Sequence, residues 1–172
     1  MGKFLSGNQL WRSPESWARA FQNTPSDVFS FGVVAIFVML NKMLFFLDCD
    51  QSDVDAWWHI LRRQISFFAD EEGIQGLLRH IGEDDPFHAK LISVAQSLLD
   101  EGLQPFALWL DLDIEFRDLI AKMTNFNPAE RITAREALQH PWFAKTLPKD
   151  ESPWTTHVRA IDSSKRPGPE SL

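Results

Sequence analysis

One thiol and five imidazoles are the first candidates for chemistry: Cys49, His59, His80, His88, His140 and His157. A lone thiol makes no internal disulfide and no cysteine-rich zinc site, which suits a reducing, intracellular and cytoplasmic setting. No His or Lys gathers beside Cys49 to hold it as a thiolate, so it reads as a small buried or half-buried side chain. The histidines are scattered without ligand spacing, and no metal site is expected. The more distinctive polar residues lie in three stretches. The first is Trp11-Arg12-Ser13-Pro14-Glu15 and the second Ser26-Asp27-Val28-Phe29-Ser30-Phe31-Gly32. The third runs from Phe116-Arg117-Asp118-Leu119-Ile120 through Asn127-Pro128-Ala129-Glu130-Arg131-Ile132-Thr133 to His140-Pro141-Trp142-Phe143.

The elements that must position them follow from hydrophobic period and caps. Residues 1–25 are rich in Gly, Asn, Gln, Ser and Pro and read mainly as loop. Ser26, a good N-cap, and Asp27, suited to the positive end of a helix, open an apolar run to Leu47. That run is hydrophobic all round, as in a helix enclosed by others. Asn41 and Lys42 interrupt it, leaving about ten uninterrupted apolar residues, too few to span a membrane. Ser52 and Asp55 resemble a capping box before Val54, Trp57, Trp58, Leu61, Ile65 and Phe68, whose spacing predicts an amphipathic helix with Arg62, Arg63 and Gln64 opposite. Gly73, Gly76 and Gly82 punctuate the middle. A helix is expected from Phe87 to Glu101, ending at Gly102, and another from Ile114 to Thr124 with Phe116, Leu119, Ile120 and Met123 inward. Thr133 and Glu136 form a capping box for a short helix that Pro141 stops. Residues 148–172 carry few apolar anchors and read as a disordered tail behind a body of residues 1–147. No stretch alternates as a strand does, so the body is all-α, with five or six helices.

With 172 residues, 44% hydrophobic and 24% charged, the chain has the balance of a globular domain with one core. Its net charge of -7 disfavours nucleic acid and anionic lipid. Met1-Gly2-Lys3-Phe4 lacks the apolar core of a secretory signal. Gly2 with Ser6 fits the short N-myristoylation pattern, a match too brief to build on.

Together the three stretches resemble eukaryotic protein kinases. Ser13-Pro14-Glu15 looks like the kinase Ala-Pro-Glu motif with serine for alanine. The Ser26 to Gly32 stretch resembles the opening of the central helix of the large lobe, and the third matches the end of kinase domains. The resemblance is firm over about residues 9–41 and 113–144. Residues 42–112 match only by position, and their tryptophan-rich, acidic style resembles a fungal kinase-like expansion. The implied fold is the helical bundle of a kinase C-terminal lobe, without the N-terminal β lobe or the catalytic loop. The resemblance also implies a buried ion pair between Glu15 and Arg131, a carboxylate at Asp27 that accepts backbone hydrogen bonds from a catalytic loop, and close packing at Gly32. Pro128 and Thr133 would shape and cap the last helices, while Trp142 and Phe143 plug the base. Asn8 sits where kinases usually have threonine, and Leu10 and Trp11 would form part of a substrate-side pocket.

Kinase chemistry needs a glycine-rich loop over the phosphates, a strand lysine, a His-Arg-Asp catalytic loop and an Asp-Phe-Gly metal ligand. The 172 residues contain no G-x-G-x-x-G, no His-Arg-Asp and no Asp-Phe-Gly. The family uses ATP and magnesium, yet no catalytic, cofactor-binding or metal residue is expected in this chain. Two readings follow. One is part of a protein serine/threonine kinase, inactive alone, left by a shortened gene model, an alternative start or a degraded gene. The other is a short pseudokinase-like module that binds a protein partner. In both, the partner is a protein.

Overall fold

The computed structural model describes residues 8–47, 55–98 and 102–146. Cys49, His157, the Gly2 and Ser6 of the myristoylation pattern, Ser52 of the first capping box and the tail from 148 onward lie outside them. Among the described residues there are eight α-helices, two single 3-10 turns and no strand, more helices than the sequence suggested.

A 3-10 turn at Gln9–Trp11 leads into α1 (Pro14–Trp17), so the expected loop contains a helical turn. Pro14 suits the start of α1 because the N–H it lacks would have no partner there. The long helix α2 (Thr24–Leu40) starts earlier than expected, with Asn23 at the N-cap position making no side-chain bond to it and Pro25 in its first turn. Ser26 is therefore not the N-cap: it lies inside the helix, and its Oγ meets Ser13 Oγ at 2.6 Å. Phe29, Val33 and Ile36 point into the core. Phe31 and Val38 instead lie 54% and 70% exposed, so α2 is not enclosed on all sides. Asn41 ends it in the left-handed region (φ 50°), which asparagine tolerates better than most residues.

In α3 (Ala56–Phe68) the inward stripe holds at Leu61 and Ile65 and extends to Ile60. Gln64, expected on the polar side, is fully buried and donates from Nε2 to the Arg12 carbonyl at 2.8 Å. Asp55 precedes α3 without a side-chain cap bond to it. Helix α4 (Glu71–Ile81) occupies the stretch read as punctuation. Asp70 caps it by accepting from Gly73 N–H at 2.7 Å. Gly73 and Gly76 sit inside the helix because side chains there would collide with residues 126–127: a Cβ on Gly76 would stand 2.5 Å from Asn127 Cβ. Of the three, only Gly82, at φ 85°, ends the helix.

Helix α5 (Pro86–Gln96) begins one residue early, with Asp85 accepting from Phe87 N–H at 2.9 Å. It also ends early. Ser97 Oγ donates back to the Val94 carbonyl at 2.7 Å and drains the ladder. After a second 3-10 turn (Phe106–Leu108), α6 (Ile114–Met123) buries Phe116, Leu119, Ile120 and Met123 as its period requires. The Thr133 and Glu136 capping box opens α7 (Ala134–Leu138). Pro141 does more than stop it, since it is the first residue of α8 (Pro141–Thr146).

The core is centred on α2 packed against α6. Gly32 makes that approach possible: a Cβ there would stand 3.1 Å from both Met123 Cβ and Thr124 Cγ2. A seam of edge-on and tilted rings then crosses the molecule from Phe45 through Phe68, Phe106 and Phe116 to Trp142, each pair 5.3–6.4 Å apart. Trp142 and Phe143 close the base over Val28, Leu119, Met123 and Ala137.

Candidate functional site

Glu15 lies in the single turn of α1, held by Pro14 on one side and by an Ala20 N–H to Glu15 carbonyl bond of 3.1 Å on the other. Arg131 lies between α6 and α7. Its Nη1 and Nη2 donate to Glu15 Oε1 and Oε2 at 2.7 and 3.1 Å, a two-pronged contact with both side chains out of water. The fork reaches further: Nη1 also donates to the Pro25 carbonyl at 2.7 Å and Nε to the Asn125 carbonyl at 2.9 Å. The guanidinium stands 5.1 Å over the Phe29 ring. Four parts of the chain are thereby tied to one side chain: α1, the start of α2, the end of α6 and the loop before α7.

Ser13 is completely buried against Ser26, and Arg12 lies 4.5 Å over the Trp17 ring with its carbonyl held by Gln64. Burial lowers the pKa of the Arg12 guanidinium from its ordinary value. The segment from Arg12 to Trp17 is thus a fixed strap across the start of α2.

In front of the strap is a cavity of about 290 Å³ lined in part by Asn8, Trp11, Ser30 and Asp27. Asp27 is exposed in the first turn of α2, and no described residue hydrogen-bonds its carboxylate. Asn8 Oδ1 accepts from Leu10 N–H at 2.9 Å and so caps the 3-10 turn. Trp11 is half-buried, edge-on to Phe37 at 5.7 Å. Leu10 turns inward at 5% exposure and belongs to the core, so of the three expected pocket residues it does not line this cavity.

The third stretch holds a pair that carried no role in the sequence reading. His140 Nε2 meets Asp118 Oδ2 at 2.8 Å, and Lys122 Nζ meets the same oxygen at 2.6 Å. Trp142 N–H donates to His140 Nδ1 at 3.3 Å, which leaves Nε2 to carry the proton given to Asp118. The hydrogen bond from Lys122, then that from His140, pulls the Asp118 carboxyl below its ordinary pKa. Both residues stand in quoted motif segments, so the signal was present without a partner assigned to it.

The arrangement holds segments together and offers one open carboxylate. No group of three or more His, Cys, Asp or Glu that could hold a metal ion occurs among the described residues. No helix among them is long and apolar enough to cross a membrane.

Residues 3–143 match the model of the protein kinase domain family. Over 36 residues the chain is 53% identical to cell division control protein 2 homolog 3 of Trypanosoma brucei brucei, covering 21% of this chain and 12% of that protein. Over 40 residues it is 52% identical to calcium/calmodulin-dependent protein kinase type II subunit delta of Oryctolagus cuniculus, covering 23% of this chain and 8% of that one. The matched segments therefore span only a small part of these relatives' lengths.

Proposed function

This chain belongs to the protein kinase domain family, and on that premise we propose that it is the helical large-lobe part of a protein serine/threonine kinase, supplying the frame of the domain and not its chemistry. The family activity is ATP-dependent phosphorylation of proteins. The partner in this reading is a protein, bound in the cytoplasm as substrate or as ligand, and nucleic acid is not one. The observation that supports it best is the buried Glu15–Arg131 pair, which anchors the strap that in kinases ends the activation segment. Gly32 and the open Asp27 carboxylate agree with the same frame.

The residues present do not fit Mg-ATP. No two glycines stand at G-x-G spacing to cradle phosphates, and the sequence has no Asp-Phe-Gly to hold the metal. We expect the chain alone to bind no Mg-ATP and to phosphorylate no protein. Isothermal titration checks this, and micromolar Mg-ATP binding would overturn it.

A second reading is a non-catalytic, pseudokinase-like module that binds a protein through α2. The exposure of Phe31 and Val38 on one face of that helix favours it. The transcript upstream of the Met1 codon separates the two. In-frame His-Arg-Asp and Asp-Phe-Gly codons support the kinase part, and their absence supports the module.

A further inference from the structure

Away from the open face of α2, a cleft of about 420 Å³ is lined from the end of α1, from α3 and from α5. Its walls are aromatic. Trp57 and Phe87 pack with centroids 5.8 Å apart, and Trp17 completes the wall. The buried Trp17 indole N–H has no acceptor among the described residues, which leaves a polar atom for a water or a partner to satisfy. The rim is cationic. Lys90 Nζ stands 5.5 Å from the Trp57 ring centre. Arg19 is exposed, holds a left-handed φ of 53°, and has no side-chain partner among the described residues. The carboxylate of Asp85, also at the cleft, caps α5 through Phe87 N–H and is engaged there. The cleft thus carries two cations, Arg19 and Lys90, against the one carboxylate of Asp85, an excess of positive charge on a chain of net charge -7. The left-handed Arg19 closes α1, with Arg19 N–H donating to the Ser16 carbonyl and Ala20 N–H to the Glu15 carbonyl, both at 3.1 Å, and this sets the Arg19 side chain at the edge of the cleft.

We propose that this cleft docks an extended acidic protein segment presenting one aromatic side chain between carboxylates. The aromatic ring would pack against Trp17, Trp57 and Phe87, where stacked and edge-on rings attract. The flanking carboxylates would meet Lys90, already poised over an aromatic face, and Arg19, whose planar fork holds a carboxylate through two hydrogen bonds. The net charge of -7 opposes any anion, and a single-stranded nucleic acid, charged at every unit, meets more of that repulsion than a short segment whose carboxylates flank one ring. The docking uses neither Glu15, Asp27 nor the open face of α2, so it stands apart from the function proposed above.

The test is fluorescence anisotropy on the full chain with a labelled glutamate-rich peptide carrying one central phenylalanine. Saturable binding is expected, weakening as salt rises because the pairing charges are at the rim. Lys90→Glu and Arg19→Glu should each weaken it by about tenfold while leaving the melting temperature unchanged. Arg19→Gly relieves the left-handed backbone, so it should keep or raise the melting temperature and still weaken binding. A lysine-rich peptide binding as tightly, affinity unchanged in both charge reversals, or binding of a single-stranded oligonucleotide in place of the acidic peptide would each overturn the proposal.

Discussion

Arg131 gives four hydrogen bonds to three partners, and no other side chain could give them from that place. Lysine has one compact ammonium and cannot span Glu15, Pro25 and Asn125 together. Arg131→Ala leaves the Glu15 carboxylate buried and unpaired, and we expect a loss of about 3–5 kcal/mol in urea unfolding. Arg131→Lys should lose less, since a charge remains; equal losses would mean that geometry alone matters. Asp118 belongs to the same scale but lies half in water, so its ion pairs are screened. Its pKa is lowered on folding, so it stabilises the fold above the unfolded-state pKa, and that contribution is lost as pH falls through the folded one. Asp118→Asn should therefore flatten part of the fall in melting temperature on acidification. An unchanged pH profile would count against the role of the Lys122 and His140 contacts. Glu15 and Arg131 were legible in the sequence because each sits inside a motif with a known resemblance. Gln64 was not, because a lone amide among arginines reads as solvent-facing. The Pro25 and Asn125 carbonyls were not either, since a backbone acceptor leaves no trace in residue type.

At the scale of elements, α4 shows how glycine misleads. Gly73, Gly76 and Gly82 look alike in sequence, yet only Gly82 ends a helix, while Gly73 and Gly76 admit the chain at residues 126–127. An alanine in mid-helix gains about 1 kcal/mol over glycine. At Gly76 that gain meets overpacking against Asn127, which costs about 1–3 kcal/mol. Gly76→Ala should accordingly lower the melting temperature. Gly32→Ala, whose closest would-be contacts are 3.1 Å, should lower it less. Circular dichroism melts check the order, and a stabilised Gly76→Ala would show that α4 can move off residues 126–127. Helices α3 and α6 were legible because their apolar stripes keep a clean 3.6-residue period. The start of α2 was not, because Ser26 and Asp27 form a plausible cap and Pro25 hides the true beginning three residues upstream of Asp27.

At the scale of the molecule, the apolar run of α2 serves two environments. Its inner face joins the aromatic seam through Phe29, while Phe31 and Val38 meet water. Composition alone cannot separate these, since both faces are equally apolar. Phe31→Glu with Val38→Glu should reduce binding of the dye ANS while moving stability by only about 0.5 kcal/mol per site, as for surface positions. A collapse of the fold would show that the face is packed in solution. The Glu15–Arg131 pair has a consequence in time as well as in energy. It joins residues 116 apart, so most of the chain must be gathered before the two can meet. Such a contact belongs on the native side of the folding barrier, where losing it speeds unfolding and leaves the folding rate nearly unchanged. Stopped-flow chevrons of Arg131→Lys should show that pattern. The pair is then a latch that sets how long the folded molecule lasts, and has little say in how quickly it forms.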